Sequence, residues 1–182
     1  MNTTRQRVRT KEFATERLVL RSITTKEWRN FVIHAVEANE VLIQFAHELD
    51  EGFFERNKTP CYDLCVYYSI HLPETDEMIG YIGFCNNPEY PCCNEIEYYI
   101  FRHFRRRGYA YEAISALIRK LFAGEIVNRN VSEIRASVVW ENEPSMNLLR
   151  KLGFHGDGGR ILMNDVIERC FCYTREEMEE SA

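Results

Sequence analysis

The apolar residues Ala110, Ala113, Ile114, Leu117, Ile118, Leu121 and Phe122 recur at i, i+3, i+4, i+7, i+8, i+11 and i+12. That is the spacing of one face of an amphipathic helix. A β-rich run, "CNEIEYYIF" (Cys93–Phe101), leads into the helix, and a second, "SEIRASVVW" (Ser132–Trp140), follows it after an "NRN" break. Strand, helix and strand in that order need a crossover, so the two strands pair in parallel. Any fold for this chain has to be built around that unit.

The remaining segments attach to it by shorter connections. "TERLVLRSIT" (Thr15–Thr24) alternates Leu18 and Leu20 with polar neighbours and predicts a first strand. A helix follows, capped by Thr24 or Thr25 and carrying Trp28, Phe31, Val32 and Ala35 at helical spacing. A weaker helical region covers Val41–Arg56. "YDLCVYYSIH" and "MIGYIGFCNN", joined by the turn-rich "LPETDE", predict a hairpin. "EPSMNLLRKLGF" predicts a short helix stopped at Gly153, and "GRILMNDVI" with "ERCFCYTRE" a closing strand pair before an acidic tail. Hairpins on both sides of the crossover make the sheet mixed, with helices on both faces. No repeat or linker divides the chain, so residues 13–182 form a single domain behind a flexible tail over residues 1–12.

Composition narrows the class. With 182 residues, 45% hydrophobic and 28% charged, the chain reads as a soluble globular domain with a real core. A net charge of -5 argues against a general nucleic-acid binder. No apolar run is long enough to cross a bilayer, and "MNTTRQRVRTKEF" lacks the apolar stretch of a secretion signal. The seven cysteines show neither CxxC spacing nor any metal framework, and HExxH is absent. Free thiols in a reducing cytoplasm and no bound metal are therefore expected.

"FRHFRRRGYA" (Phe101–Ala110) sets three arginines before a helix N-terminus, an end that already carries partial positive charge. A strand, a tight turn and a helix expose unpaired N–H groups, and Gly108 lets an anion approach them closely. Arg105, Arg106 and Arg107 then fit as partners for phosphate oxygens, the alternative being a solvated basic turn. Neither GxxxxGK[ST] nor GxGxxG is present.

"RRRGYA" resembles the [R/Q]-x-x-G-x-[G/A] turn of the GNAT acyltransferase superfamily. Its neighbours resemble the RimJ/RimL-type branch in order: "TERLVLRSIT", "IGYIGF", "EIEYYIFRHFRRRGYAYEA", "NEPSMNLLRKLGF" and "YTREEM". The resemblance covers about residues 15 to 178. It implies an α/β fold with a GNAT-like mixed, mostly antiparallel sheet of about seven strands, a splayed central parallel pair and flanking helices on both faces. It implies acetyl-CoA as co-substrate, with Arg105, Arg106, Arg107, Gly108, Tyr109 and Ala110 around the pyrophosphate. Tyr98, Tyr99, Ile100 and Phe101 would line the pantetheine arm, and Asn142 and Ser145 would reach the arm and thiol. A monomer or homodimer acting in the cytoplasm is expected.

Acetyl transfer to an amine needs a neutral amine and a proton for the departing thiolate. Strand alternation puts Glu95, Glu97, Tyr99 and Phe101 on one face. Two neighbouring, partly desolvated carboxylates can raise one pKa and supply a general base; the competing reading is a polar strand end facing water. Glu97 stands where the branch usually has glycine. Asn142 suits a helix cap with Pro144 in the first turn. Leu149 stands where many superfamily members carry a tyrosine acid, which leaves Ser145, a water or unassisted departure. His103 is either a phosphate contact or a solvated loop histidine. Trp28, Phe31, Phe45, Phe53 and Phe54 read mainly as core, with a few facing an acceptor pocket. The acceptor is a small-molecule amine or a protein N-terminus; a CoA-binding sensor without efficient catalysis is the alternative.

Overall fold

The computed structural model describes residues 10–24, 26–31, 65–85, 94–127, 130–161 and 167–180. Eight strands among them form one sheet: β1 (Glu12–Ala14), β2 (Val19–Ser22), β3 (Cys65–His71), β4 (Met78–Cys85), β5 (Glu95–Ile100), β6 (Glu133–Val139), β7 (His155–Ile161) and β8 (Ile167–Thr174). Their spatial order is β1-β2-β3-β4-β5-β6-β8-β7. Every neighbouring pair is antiparallel except β5 and β6. Four helices accompany the sheet: α1 (residues 26–31), α2 (Tyr109–Phe122), α3 (Glu143–Lys151) and α4 (Arg175–Glu180). The mixed, mostly antiparallel α/β architecture is the expected one.

Local chemistry explains the element ends. Thr24 and Glu27 form a capping box before α1: the Thr24 N–H and hydroxyl donate to Glu27 Oε2 at 2.7 and 2.6 Å, and the Glu27 N–H donates back to Thr24 Oγ1 at 3.2 Å. In α2, six of the seven predicted core residues are buried and Ala110 is half-buried. That face packs with Ile96 and Ile100 of β5 and with Ile134, Ala136 and Val138 of β6 in one core. The opposite face of β5 carries Tyr99 and Phe101 into a smaller aromatic cluster with Trp28, Phe31, Met78 and Tyr81. Alternation along one strand thus feeds two separate cores.

The eighth strand, β1, lies just before the first predicted segment. Thr15–Arg17 is not strand but a tight turn, closed by the Thr15 N–H on the Leu18 carbonyl at 2.8 Å, which folds β1 back onto β2. Thr10 Oγ1 donates to the Glu125 carbonyl at 2.9 Å, and Glu12 opens β1. At the other end β8 stops at Thr174, because "TREE" is a second capping box. The Thr174 N–H and hydroxyl donate to Glu177 Oε2 at 2.7 and 2.8 Å and start α4. β7 begins at His155 rather than Gly159, and its glycines are absorbed by a register shift between Gly156 and Gly159. The predicted helix over Val41–Arg56, with Phe45, Phe53 and Phe54, lies outside the described residues. The expectation of free thiols holds for Cys170 and Cys172 and fails for Cys85, which is disulfide-bonded. Linear spacing says nothing of which cysteines the strands bring together.

Candidate active site

β5 and β6 share a single register pair, Glu95 with Arg135, where the Arg135 N–H donates to the Asn94 carbonyl at 2.9 Å. Beyond it the strands part. On its other side β5 stays paired with β4 along its whole length. The Phe101 N–H donates to the Ile79 carbonyl at 2.8 Å, so by alternation the peptide groups of Tyr99 and Phe101 face β4. Those of Ile96, Tyr98 and Ile100 face the gap. A gap at the carboxyl ends of a parallel pair is where open α/β sheets hold ligands.

The turn at the end of β5 shows why its arginines are there, and each has a different task. Arg105 Nε donates to the Ile100 carbonyl at 2.8 Å, satisfying an acceptor that the parted strands leave without a ladder partner; its guanidinium lies 5.1 Å from the Tyr99 ring centroid. The Arg107 guanidinium lies 5.7 Å over the Phe104 ring, and its carbonyl accepts from Arg17 Nη1 at 3.0 Å. Arg106 is exposed, with φ 64. Gly108 caps α2 with φ 84 and no side-chain cap. Among the described residues, no acceptor takes the N–H groups of Arg106 to Tyr111, which leaves a row of donors at a positive helix end. His103 is exposed beside this turn.

Glu112 ties that helix end to the β1–β2 turn. Its carboxylate accepts from Thr15 Oγ1 at 2.5 Å, the Arg17 N–H at 2.8 Å and Arg17 Nε at 2.8 Å. Partial burial raises its pKa, but the bonds from Thr15 and Arg17 outweigh that and hold it below the ordinary value of 4.5. The folded-state pKa is depressed, so the stabilisation is full above pH 4.5 and is lost as pH falls through the lower folded value. Glu112→Gln is expected to lower Tm at pH 7 by about 2–6 °C. The gap from wild type should narrow as pH falls below 4.5; thermal melts across that range check it.

Glu97 lies on the same face of β5 as Glu95 and Tyr99, and its peptide group faces β4. Tyr67, Gly83 and Glu97 are direct cross-strand neighbours on β3, β4 and β5. A Cβ at Gly83 would meet the Tyr67 ring at 2.3 Å. Glycine there lets the ring lie across β4 and bring its hydroxyl within 3.5 Å of Glu97 Oε2. Solvent still reaches Glu97, yet the protein around it strips away hydration. That desolvation and the Glu95 charge push its pKa up to about 6, against the lowering effect of the Tyr67 hydroxyl. The Tyr81 hydroxyl is raised above its ordinary range by burial and the Glu97 charge, and stays protonated. Farther along this face, a cavity of about 680 Å³ is lined by Phe31, Met78, Tyr99, Phe101 and His103, with Glu27 and Glu77.

On the core side, Asn142 is the N-cap of α3: its Oδ1 accepts from the Ser145 N–H at 3.3 Å, with Pro144 in the first turn. Ser145 Oγ lies 2.6 Å from the Tyr98 hydroxyl. Leu149 is fully buried in the main core. The structure therefore joins Tyr98 to Ser145 across the gap and ends β5 in the 105–110 turn, while Glu97 lies on the opposite face of the same strand beside Tyr67.

The family model described as acetyltransferase (GNAT) domain matches residues 17–155, a span that takes in every one of these groups. The chain belongs to the GNAT acetyltransferase family. It is 37% identical to the uncharacterized N-acetyltransferase p20 of Bacillus licheniformis over 91 residues, which is 50% of this chain and 49% of that protein. It therefore spans about half the length of that curated relative. It is 28% identical to the uncharacterized N-acetyltransferase YoaA of Bacillus subtilis over 79% of this chain and 82% of that protein. Among solved structures, it is similar to the ribosomal-protein-S5-alanine acetyltransferase of Vibrio fischeri, with a TM-score of 0.69 and 17% identity over 91% of this chain and 97% of that one. It is also similar to RimL, a ribosomal L7/L12 acetyltransferase in complex with coenzyme A, with a TM-score of 0.61 and 14% identity over 92% and 98% of the two chains. At such identities the likeness shows the GNAT fold alone.

Within this GNAT domain, sequence reasoning missed Thr15, Arg17 and Glu112, the anchor of the turn. The "TERL" string was the available signal, and it was read as strand and as a family motif, not as a turn. Tyr67 and Gly83 were missed because a glycine inside a strand says where space is needed, not which ring fills it.

Proposed function

We propose that this chain moves an acetyl group from acetyl-CoA to a primary amine by direct attack, with Glu97 as general base. The observation that carries the reading is one strand, β5, bearing the gap edge, Glu97 and the donor-lined turn in sequence. Acetyl-CoA, when bound, supplies the activated thioester. The residues suit it chemically: a row of open N–H groups and Arg106 for phosphates, and the Tyr98 peptide group for an amide-bearing arm. At Gly108 the positive φ of 84 favours glycine, and a Cβ would press on Arg17 Nη2 at 3.2 Å.

Glu97, deprotonated above about pH 6, takes the proton that the attacking ammonium must lose. Glu95 accompanies it on the same face and raises it. Burial and the nearby Glu133 push the Cys172 thiol up to about 11, so Cys172 itself is a poor nucleophile at neutral pH. The aromatic cavity beside Tyr99 suits the body of the acceptor, whether a small amine or a protein N-terminus. An acceptor screen with acetyl-CoA, read by thiol release, tests the reading across ribosomal-protein N-terminal peptides, polyamines and aminoglycosides. Turnover of at least one amine is expected. The buried Leu149, in place of a tyrosine acid, favours a second reading, a CoA-binding sensor; tight acetyl-CoA binding with no turnover on any amine would establish that instead.

A further inference from the structure

With Leu149 sealed in the core, the helix position where the resemblance puts a tyrosine acid offers no hydroxyl. Another tyrosine reaches the same helix from the opposite wall. Tyr98 packs from β5 against the main core, and its hydroxyl lies 2.6 Å from Ser145 Oγ, in the first turn of α3. This short bond joins the two halves of the molecule where β5 and β6 have already parted. Asn142 fixes the turn that presents Ser145. Among the described residues, no charged side chain bonds to either hydroxyl. Two neutral hydroxyls in series, one fixed by a helix cap and the other by a strand, can pass a proton between them, since either can donate.

We propose that Tyr98 is a positioning residue that orients Ser145 and restores its proton when Ser145 protonates the departing sulfur. The inference rests on the acetyl-transfer reading. As the carbon–sulfur bond breaks, the electron pair stays on sulfur and the Ser145 hydroxyl proton moves to it. The Tyr98 hydroxyl proton passes to Ser145 Oγ, and Tyr98 regains a proton from solvent. Glu97 releases to solvent the proton taken from the amine, so the cycle closes. Burial raises the Tyr98 pKa and the bond to Ser145 only partly offsets it, so the reserve proton is in place at neutral pH.

The test needs no turnover. Coenzyme A is bound to the protein and its thiol is titrated by the ultraviolet absorbance of the thiolate. Hydrogen bonds from the pair stabilise the thiolate, so the bound thiol in wild type should titrate about one pH unit below that in Tyr98→Phe. Ser145→Ala should titrate higher still. A fluorinated tyrosine at position 98, which keeps the ring's shape and sharpens its acidity, should lower the thiol pKa further and serves if Tyr98→Phe fails to fold. Identical thiol titration in wild type and either Tyr98 variant overturns the proposal alone. Failure of wild type to bind coenzyme A overturns the acetyl-transfer reading and this proposal with it.

Discussion

Glu97→Gln lowers kcat/KM by about 10²–10³-fold and removes the acidic limb of the pH–rate profile. The expectation follows from three strands in register. Gly83 leaves the space, the Tyr67 ring fills it, and the Glu97 carboxyl is left partly dehydrated beside Glu95. A base must be unprotonated to act, so wild-type activity should rise with pH through about 6 and level above it. Glutamine has nearly the same shape and cannot accept the proton, so the limb should vanish while KM for acetyl-CoA stays near its wild-type value. Glu95→Gln removes only the second of the two effects that raise Glu97; its limb should move to lower pH and its plateau should remain. Rates across pH 5 to 8 on one accepted amine decide the matter. An unmoved limb in Glu97→Gln would show that the base lies elsewhere.

The second large effect is on binding. Gly108→Glu is expected to weaken coenzyme A by at least about 100-fold in calorimetry. A side chain at φ 84 is strained by about 1–2 kcal/mol, its Cβ closes on Arg17 Nη2, and its carboxylate occupies the donor row with the wrong charge. Gly108→Ala separates these contributions: it keeps the strain without the charge and should lose about tenfold. Near-wild-type affinity in the glutamate variant would sink the phosphate assignment.

The parts of this molecule written locally were legible in the sequence. Apolar residues of α2 recur at helical spacing because one stripe faces the core, so its register could be read directly. The Asn142 cap and the "LPETDE" connection are equally local. The same chemistry was harder to see where two signals overlap. Thr24–Glu27 and Thr174–Glu177 are the same capping box, yet the second follows a strand of alternating pattern and was taken for its continuation. Thr15–Arg17 alternates like a strand and is a turn, since what fixes it is Glu112, 95 residues away from Arg17. The three arginines looked alike as a charge cluster. Only the fold shows that Arg105 mends a carbonyl, Arg107 stacks on a ring and Arg106 is left for solvent. Tyr98 could be placed on its strand, but its meeting with Ser145 depends on how two chain segments 47 residues apart come together.

The single pair between β5 and β6 makes the eight-stranded sheet two separate mechanical pieces, five strands and three, touching at one peptide group. In an ordinary sheet the ladder carries cohesion across the middle and loosens toward the rims. Here the middle is itself a rim. Cohesion between the pieces passes to the shared core, in which Ile114, Leu117 and Leu121 of α2 lie together with side chains of both. The domain therefore folds as one body through that core. The sheet, freed from that duty at its centre, can stay open there in the native state.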